Sequence, residues 1–322
     1  MRGGIDLGGT KIQAVVADER DSVAGEARRS TPQSGGPSEV AAAMAETLEG
    51  AANAAGVEVG ELMGVGVGSP GIVDEANGTV ANARNLPGWI DPFPLAETLA
   101  SRFGVPVRIG NDVGTAVEGE AVLGAGRPLR TFLGLWWGTG VGGAIMVEKH
   151  RWLGRGAAGE LGHMVIKLGG AKCACGRRGC VEAYAGRASM ERKARRDHKR
   201  GAKTRLFALM EEHRHDHLTS SVWQHALNEH DSYAEKMIER AIRALGAGAA
   251  SAVNLIDVEA VVIGGGLGTR LGETAVTRIG EAMKPHLFFD DRPPEVRLTE
   301  LGDLGGAICA ARLAPAQPPS AG

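Results

Sequence analysis

Two stretches of the chain share one pattern, in which an apolar run, a glycine-rich turn and a second apolar run follow one another. The first copy is Ile5–Leu7 and Ile12–Ala17, and the second is Phe132–Trp137 and Val141–Val147. Short apolar runs bounded by glycine are typical of buried β-strands. The pattern therefore predicts two copies of one α/β module, each opening with a strand, a turn and a returning strand.

Helical and strand patterns alternate through the rest of each half, which predicts mixed sheets covered by helices. Further strands are expected at Val23–Ala27, Met63–Val67, Val105–Ile109, Ala260–Ile263 and Val296–Leu298. Helices are expected at Ser38–Ala55, Leu95–Arg102, Glu182–Arg200, Ser232–Leu255, from the glycines after residue 263 to about Pro285, and Leu304–Arg312. Ser38 is the expected N-cap of the first helix. The long helix should bury Met237, Ile238, Ile242, Leu245 and Val253.

Composition places the chain among globular proteins of about two domains. It has 322 residues, 43% hydrophobic residues and a formal net charge of −2, which gives no electrostatic argument for nucleic acid or a membrane surface. The start of the chain has no signal-peptide pattern, which indicates a cytoplasmic protein with reduced thiols. The segment Arg187–Arg205 is strongly basic, and a solvated helix face is favoured there over a polyanion site.

Three glycine-rich turns at strand ends are candidate phosphate cradles, because glycine lets backbone N–H groups converge on anionic oxygens. The first offers Asp6, Gly8, Gly9, Thr10 and Lys11. The second offers Gly138, Thr139, Gly140 and Gly142, and the third offers Gly265 and Gly266 where a helix begins. Asp6 is a candidate for holding Mg²⁺ through water. One such turn alone is usually a simple hairpin, but three together indicate a nucleotide site.

The spacing His-x9-Cys-x-Cys-x4-Cys is the most specific motif of the chain. It consists of His163, Cys173, Cys175 and Cys180, which offer one imidazole and three thiolates. This is the ligand set of a closed structural Zn²⁺ site. A chance cluster of thiols is the alternative, and a disulfide is disfavoured because one thiol would be left over.

Two further polar groups are candidates for contacting a ligand, and the first follows the predicted strand Val105–Ile109. Asn111 and Asp112 are either a general base and its neighbour or a helix N-cap, and position alone does not separate these roles. Glu160 and His163 are three residues apart and are expected to face one small ligand.

In order and spacing, these motifs resemble the ROK family of sugar kinases. The resemblance rests on Asp6–Lys11, Ser69–Gly71, Asn111–Asp112, Gly138–Gly143, Glu160–His163, Cys173–Glu182 and Gly264–Gly268. It implies a two-domain α/β fold of the actin/hexokinase type, a duplicated ribonuclease H-like module with an interdomain cleft. The expected domains are 1–115 with 303–322, and 116–302. The pair Trp136-Trp137 and Ala144 depart mildly from the family pattern.

The resemblance also implies roles for individual residues. Asp112 would be the general base that takes the proton of a sugar hydroxyl as it attacks the γ-phosphate of ATP. The sugar would be bound by Gly71, Asn111, Asp112, Glu160, His163 and Glu182, with Glu160 as a buried carboxylate. Zn²⁺ would hold the sugar-binding loop and take no part as a Lewis acid.

The expected function is ATP-dependent and Mg²⁺-dependent phosphorylation of a hexose, with glucose ahead of other sugars. A kinase of an N-acetylated hexosamine, N-acetylglucosamine or N-acetylmannosamine, is the alternative enzyme, and a non-catalytic sugar sensor is the alternative class. The sequence leaves polyphosphate open as a donor. The expected assembly is a cytoplasmic homodimer or homotetramer without nucleic-acid or membrane partners.

Overall fold

The computed structural model describes residues 1–83 and 86–315, which form two compact units. Unit 1 runs from Met1 to Gly124 and resumes at Glu300, and unit 2 is Ala125–Thr299. The domain limits of the sequence analysis, at 115 and 303, stay a prediction, and residues 316–322 of the predicted first domain lie outside the described part.

Unit 1 is built on one five-stranded sheet and a small hairpin. Its strands are β1 (Arg2–Leu7), β2 (Lys11–Ala17), β3 (Val23–Ser30), β4 (Val65–Ser69), β5 (Ile72–Asp74), β6 (Thr79–Ala81) and β7 (Val107–Asn111). Its helices are α1 (Gly36–Ala55), α2 (Leu95–Phe103), α3 (Asp112–Leu123) and α10 (Gly305–Ala311). The sheet has the order β3-β2-β1-β4-β7, in which the first two pairs are antiparallel and the last two are parallel. Helix α1 packs on β2 and β3, and α10 packs on β1 and β4.

Unit 2 repeats this arrangement with more helices. Its strands are β8 (Phe132–Trp137), β9 (Val141–Val147), β10 (His150–Arg151), β11 (Ala260–Gly264) and β12 (Glu295–Leu298). Its helices are α4 (Glu182–Ala185), α5 (Arg187–His198), α6 (Leu206–Glu212), α7 (Ser220–Asn228), α8 (Ser232–Ile256) and α9 (Gly265–Met283). The sheet order β10-β9-β8-β11-β12 again has two antiparallel pairs followed by two parallel pairs.

The equal order and equal directions of the two sheets confirm the predicted duplication of one α/β module. In each sheet, the central strand forms a hairpin with its sequence neighbour and a parallel pair with a later strand. The predicted core side of α8 is also confirmed, because Met237, Ile238, Ile242, Leu245 and Val253 are all buried.

Several predicted element boundaries are wrong. Ser38 is not the N-cap of α1, since the helix begins at Gly36 after Gly35, with proline in its first turn. The predicted helix Glu182–Arg200 is two helices, because the backbone at Gly186 is extended (φ −59°, ψ 128°). The strands β4 and β7 each lie two residues later than predicted.

Within residues 1–83 and 86–315, no helix combines the length and the apolar character that are needed to cross a lipid bilayer.

Candidate active site

The first glycine-rich turn closes the hairpin of β1 and β2. The N–H of Gly8 donates to the carbonyl of Lys11 at 2.9 Å, and the hydroxyl of Thr31 donates to the carbonyl of Gly8 at 2.7 Å. Asp6 lies in β1 opposite Gln13. The predicted strand–turn–strand cradle is therefore present, and a residue from after β3 holds its backbone.

The environment of Asp6 disfavours the charged form of its carboxyl group. Burial raises the pKa of the Asp6 carboxyl from 3.8 to about 6, although the charge of Lys11 acts against this rise and that of Asp303 adds to it. Lys11 itself is bound by Asp303, with 2.6 Å between Nζ and Oδ1. A half-buried carboxylate whose charge is poorly compensated suits a cation with its water shell.

The second and third glycine-rich turns lie next to one another in unit 2. The N–H of Gly138 donates to the carbonyl of Gly140 at 3.0 Å, which closes the β8–β9 hairpin. A Cβ placed on Gly138 would lie 3.7 Å from the backbone nitrogen of Gly266, at the start of α9. The sequence motifs around Thr139 and Gly266 thus form one surface with little side-chain bulk.

Asn111 and Asp112 stand where β7 ends and α3 begins. Asn111 is the N-cap, and its side-chain oxygen accepts a hydrogen bond from the N–H of Gly114 at 3.0 Å. Asp112 is the first helical residue, and its Oδ1 accepts from the N–H of Val113 at 2.9 Å. The capping role left open by the sequence therefore belongs to Asn111, and the carboxyl of Asp112 is held at the helix start, where the dipole favours its charge.

Gly71 connects β4 to β5 with φ +97°, a conformation that favours glycine. A side chain there would press on the backbone of Ala81 and Ala83 in the neighbouring segment. Gly71 therefore offers only backbone groups to a ligand.

The predicted zinc ligands come together in unit 2. The donor atoms of His163, Cys173, Cys175 and Cys180 all lie within 4.8 Å of one another. The sulfurs of Cys175 and Cys180 are 3.8 Å apart. This is too long for a disulfide, whose S–S bond is ~2.05 Å. Two thiolates bound to Zn²⁺ at ~2.3 Å in a tetrahedron would be ~3.8 Å apart, so the donor set fits this ion.

The two ring nitrogens of His163 face different groups. Nδ1 lies 3.9 Å from the sulfur of Cys173, whereas Nε2 lies 4.0 Å from a carboxylate oxygen of Glu160. A zinc ligand whose second nitrogen faces a carboxylate is a common arrangement. The expectation of a buried Glu160 is wrong, because 64% of its side chain is exposed. It follows the glycine-rich segment after β10, and little of the chain covers it.

Glu182 contacts both Cys173 of the predicted zinc site and the second glycine-rich turn. Its Oε2 accepts from the N–H of Val141 at 3.1 Å, and its Oε1 lies 3.6 Å from the sulfur of Cys173. Gly140 leaves room for this contact, since a Cβ there would collide with the Glu182 carboxylate. The indole N–H of Trp137 donates to the carbonyl of Ala185 at 2.8 Å and fixes α4 behind the turn.

Sequence reasoning missed two of these relationships. Asp303, the partner of Lys11, lies 292 positions along the chain, and no local pattern connects the two. The contact of Glu182 with Val141 was equally hidden, although a glycine beside a hairpin turn hints that another group approaches closely.

Comparisons with known proteins agree with this geometry. The family model of the ROK family matches residues 2–317. A glucokinase of Thermotoga maritima is 34% identical over 277 residues, which cover 84% of this chain and 83% of the relative. An N-acetylgalactosamine kinase of a Shewanella species is 32% identical over 319 residues, covering 96% of this chain and 95% of the relative.

A solved structure shows the same fold with ligands. The ROK family glucokinase of Streptomyces griseus, in complex with glucose and AMPPNP, has a TM-score of 0.83 and 30% sequence identity, and the match covers 97% of this chain and 98% of that chain. A match over nearly the whole length, in sequence and in fold, assigns the family. The chain belongs to the ROK family.

Proposed function

We propose that the protein transfers the γ-phosphoryl group of ATP to a hydroxyl group of a hexose, with glucose as the main substrate and glucose 6-phosphate as the product. The observation that carries this proposal is the carboxyl of Asp112 at the start of α3, next to a residue that already caps the helix. Relatives named glucokinase and a similar structure holding glucose and AMPPNP support the choice of substrates.

Asp112 is the general base in this proposal. The sugar hydroxyl attacks the γ-phosphorus, a new oxygen–phosphorus bond forms, ADP leaves, and the proton of the hydroxyl passes to Asp112. Phosphoryl transfer depends mainly on positioning and on stabilising the charge of the phosphate oxygens. A carboxylate held by the helix start has the fixed position that such a base needs.

The sugar contacts proposed from the family resemblance fit the residue chemistry. They are Gly71, Asn111, Asp112, Glu160, His163 and Glu182. Asn111 also caps α3 through its oxygen, so a sugar would meet its amide N–H₂. Glu160 and the Nε2 side of His163 lie together and offer polar atoms to hydroxyl groups.

The phosphates of ATP are proposed to lie against the glycine-rich turns. These are Asp6, Gly8, Gly9, Thr10 and Lys11 in unit 1, and Gly138, Thr139, Gly140, Gly142, Gly265 and Gly266 in unit 2. Asp6 would hold Mg²⁺ through water, and the ion supplies positive charge to the phosphate oxygens.

We propose one structural Zn²⁺ per chain on His163, Cys173, Cys175 and Cys180. Four protein donors leave no open position, so the ion would stiffen the loop and take no substrate. Its part in sugar binding would be indirect, through the direction it gives to His163 and Glu160.

An N-acetylated hexosamine is the second candidate substrate. The relatives named N-acetylgalactosamine kinase and N-acetylmannosamine kinase are 32% and 30% identical, close to the values of the glucokinases. A hydroxyl or an acetamide at one sugar carbon decides between these substrates, and a binding pocket discriminates them by a few contacts.

A panel assay tests the proposal. Glucose, mannose, N-acetylglucosamine, N-acetylmannosamine and N-acetylgalactosamine are offered with ATP and Mg²⁺, and ADP release is measured; inorganic polyphosphate replaces ATP in a parallel series. The proposal expects the highest kcat/KM with glucose and ATP. A higher value for an acetylated sugar would select the second candidate. Nucleotide-independent sugar binding without ADP release would favour a non-catalytic sugar sensor.

We also propose a cytoplasmic homodimer or homotetramer. Light scattering of the purified protein measures the number of chains in the assembly.

A further inference from the structure

Arg187 belongs to the basic segment Arg187–Arg205 and lies against the second glycine-rich turn. It is the first residue of α5, and its backbone N–H donates to the carbonyl of Gly138 at 3.1 Å. The next N–H, that of Ala188, donates to the carbonyl of Thr139 at 3.0 Å. The start of α5 is therefore fastened to the second phosphate turn by two backbone hydrogen bonds.

The guanidinium group of Arg187 is fixed on the same turn. Its Nη2 donates to the hydroxyl oxygen of Thr139 at 2.8 Å, and its Nη1 donates to the carbonyl of Leu218 at 3.0 Å. The N–H of Leu218 is held in turn by the carboxylate of Glu191 at 3.1 Å. The side chain is thus held in one place beside the exposed hydroxyl of Thr139, which still has its own hydrogen to donate.

The positive charge of Arg187 is poorly compensated. In the part of the chain that the structure describes, no carboxylate forms an ion pair with Arg187, and its buried Nε has no hydrogen-bond partner. Glu191 acts on it only at longer range and is occupied by Arg195 at 2.6 Å. A half-buried charge without a carboxylate partner is poorly stabilised, and an anion would stabilise it.

We propose that Arg187 binds the terminal phosphates of the nucleotide, together with the hydroxyl of Thr139. The inference rests on the proposed kinase function and adds a cation to the unit 2 part of the proposed phosphate surface, which is otherwise made of backbone and hydroxyl groups. The planar guanidinium group presents several N–H donors at once, which suits phosphate oxygens. Because the contact is made to the β- or γ-phosphate, Arg187 discriminates ADP and ATP from AMP.

Calorimetric titration of Arg187→Gln with ADP and with AMP, both with Mg²⁺ and without sugar, tests the proposal. A charge-assisted hydrogen bond predicts that ADP affinity falls by about 10- to 100-fold while AMP affinity changes by less than about threefold. Arg192→Gln is the matched control, because Arg192 is exposed on the same helix and bonds only to Ser189 among the described side chains. It should leave both affinities unchanged.

Equal losses for ADP and AMP, or no loss, would overturn the proposal, because a contact to the β- or γ-phosphate must distinguish the two nucleotides. If Arg187→Gln does not fold, Arg187→Lys keeps the charge without the planar fork, and it must still lose more ADP affinity than AMP affinity. The hexose panel with the wild-type protein is read separately. Absence of ADP release there would refute the kinase function, whereas the ADP and AMP titrations report on Arg187 alone.

Discussion

Glu182 accepts a hydrogen bond from the backbone N–H of Val141 at 3.1 Å, and its other carboxylate oxygen lies 3.6 Å from the sulfur of Cys173. One side chain thus contacts the end of the second glycine-rich turn, at Val141, and Cys173 of the proposed zinc site. We therefore expect a change at Glu182 to affect both the proposed nucleotide surface and the proposed zinc loop of unit 2.

Glu182→Ala should raise KM for ATP and KM for the sugar together, each by about tenfold, because a charge-assisted hydrogen bond to the turn and a sugar contact are lost at once. Steady-state kinetics with each substrate varied in turn measures this. A rise in the sugar KM alone would show that the Val141 contact does not support the nucleotide.

Glu160→Ala is the contrasting change in the same unit. Glu160 faces Nε2 of His163 and is mostly exposed, so water partly replaces its contacts, and sugar affinity should fall by about tenfold. ATP affinity measured without sugar should hardly move. Calorimetry that found equal losses for both ligands would assign Glu160 to the support of the loop.

Metal analysis of protein purified without added zinc should find about one zinc per chain. Cys175→Ser should lower this content, because it removes one of four ligands. It should also raise KM for the sugar more than KM for ATP, because the ion is proposed to direct His163 and Glu160, two proposed sugar contacts. Cys309→Ala is the control, since Cys309 lies in unit 1 against Ala116 and Gly119 and should leave the zinc content unchanged. Folded, active wild-type protein without zinc would contradict the metal site.

The stability of the nucleotide-free protein should depend on pH through Asp6. Its pKa is about 6 in the folded protein and ordinarily 3.8. Between these values the folded state binds the proton more tightly, so the destabilisation by Asp6 grows as pH rises through this window and is complete above about 6.

Asp6→Asn should therefore raise Tm by roughly 2–5 °C at pH 8, and the gain should shrink as pH falls toward 4. Differential scanning calorimetry without Mg²⁺ measures it. Asp74→Asn is the control, because hydrogen bonds from Asn77 lower the pKa of that exposed carboxyl. A gain that is independent of pH would show that the charge of Asp6 is not the cause.

Sequence patterns predicted correctly those strands and helices that are determined by neighbouring residues. The strands Phe132–Trp137 and Val141–Val147 agree with the prediction residue for residue, because apolar runs and the turn between them suffice to define a buried hairpin. The cluster of His163, Cys173, Cys175 and Cys180 was equally predictable, since the four residues lie close together in the sequence. The helices α6 and α7 were missed because the segment is rich in charged and histidine residues, and the packing of α7 on α6, α8 and α9 is not visible in a local pattern.

Contacts between residues that are far apart in the chain could not be predicted from the sequence. Nothing in the sequence around Lys11 indicates Asp303, and nothing around Thr139 indicates Arg187, because both pairs depend on how a sheet and its helices pack. The exposure of Glu160 was misjudged for the same reason. A resemblance to a family names a role for a residue, but it does not report what surrounds the side chain in this chain.

The role of Asp112 as the general base is the central claim, and Asp112→Asn tests it most directly. The amide has nearly the same shape and can still accept the hydrogen bond from the N–H of Val113, but it does not accept the proton of the sugar hydroxyl. The measurement is kcat with glucose, ATP and Mg²⁺, alongside calorimetric glucose affinity. The account predicts that kcat falls by about 10²- to 10⁴-fold while glucose affinity stays within about threefold. A variant with near-normal kcat would contradict the account and leave Asp112 as a residue that only shapes the start of α3.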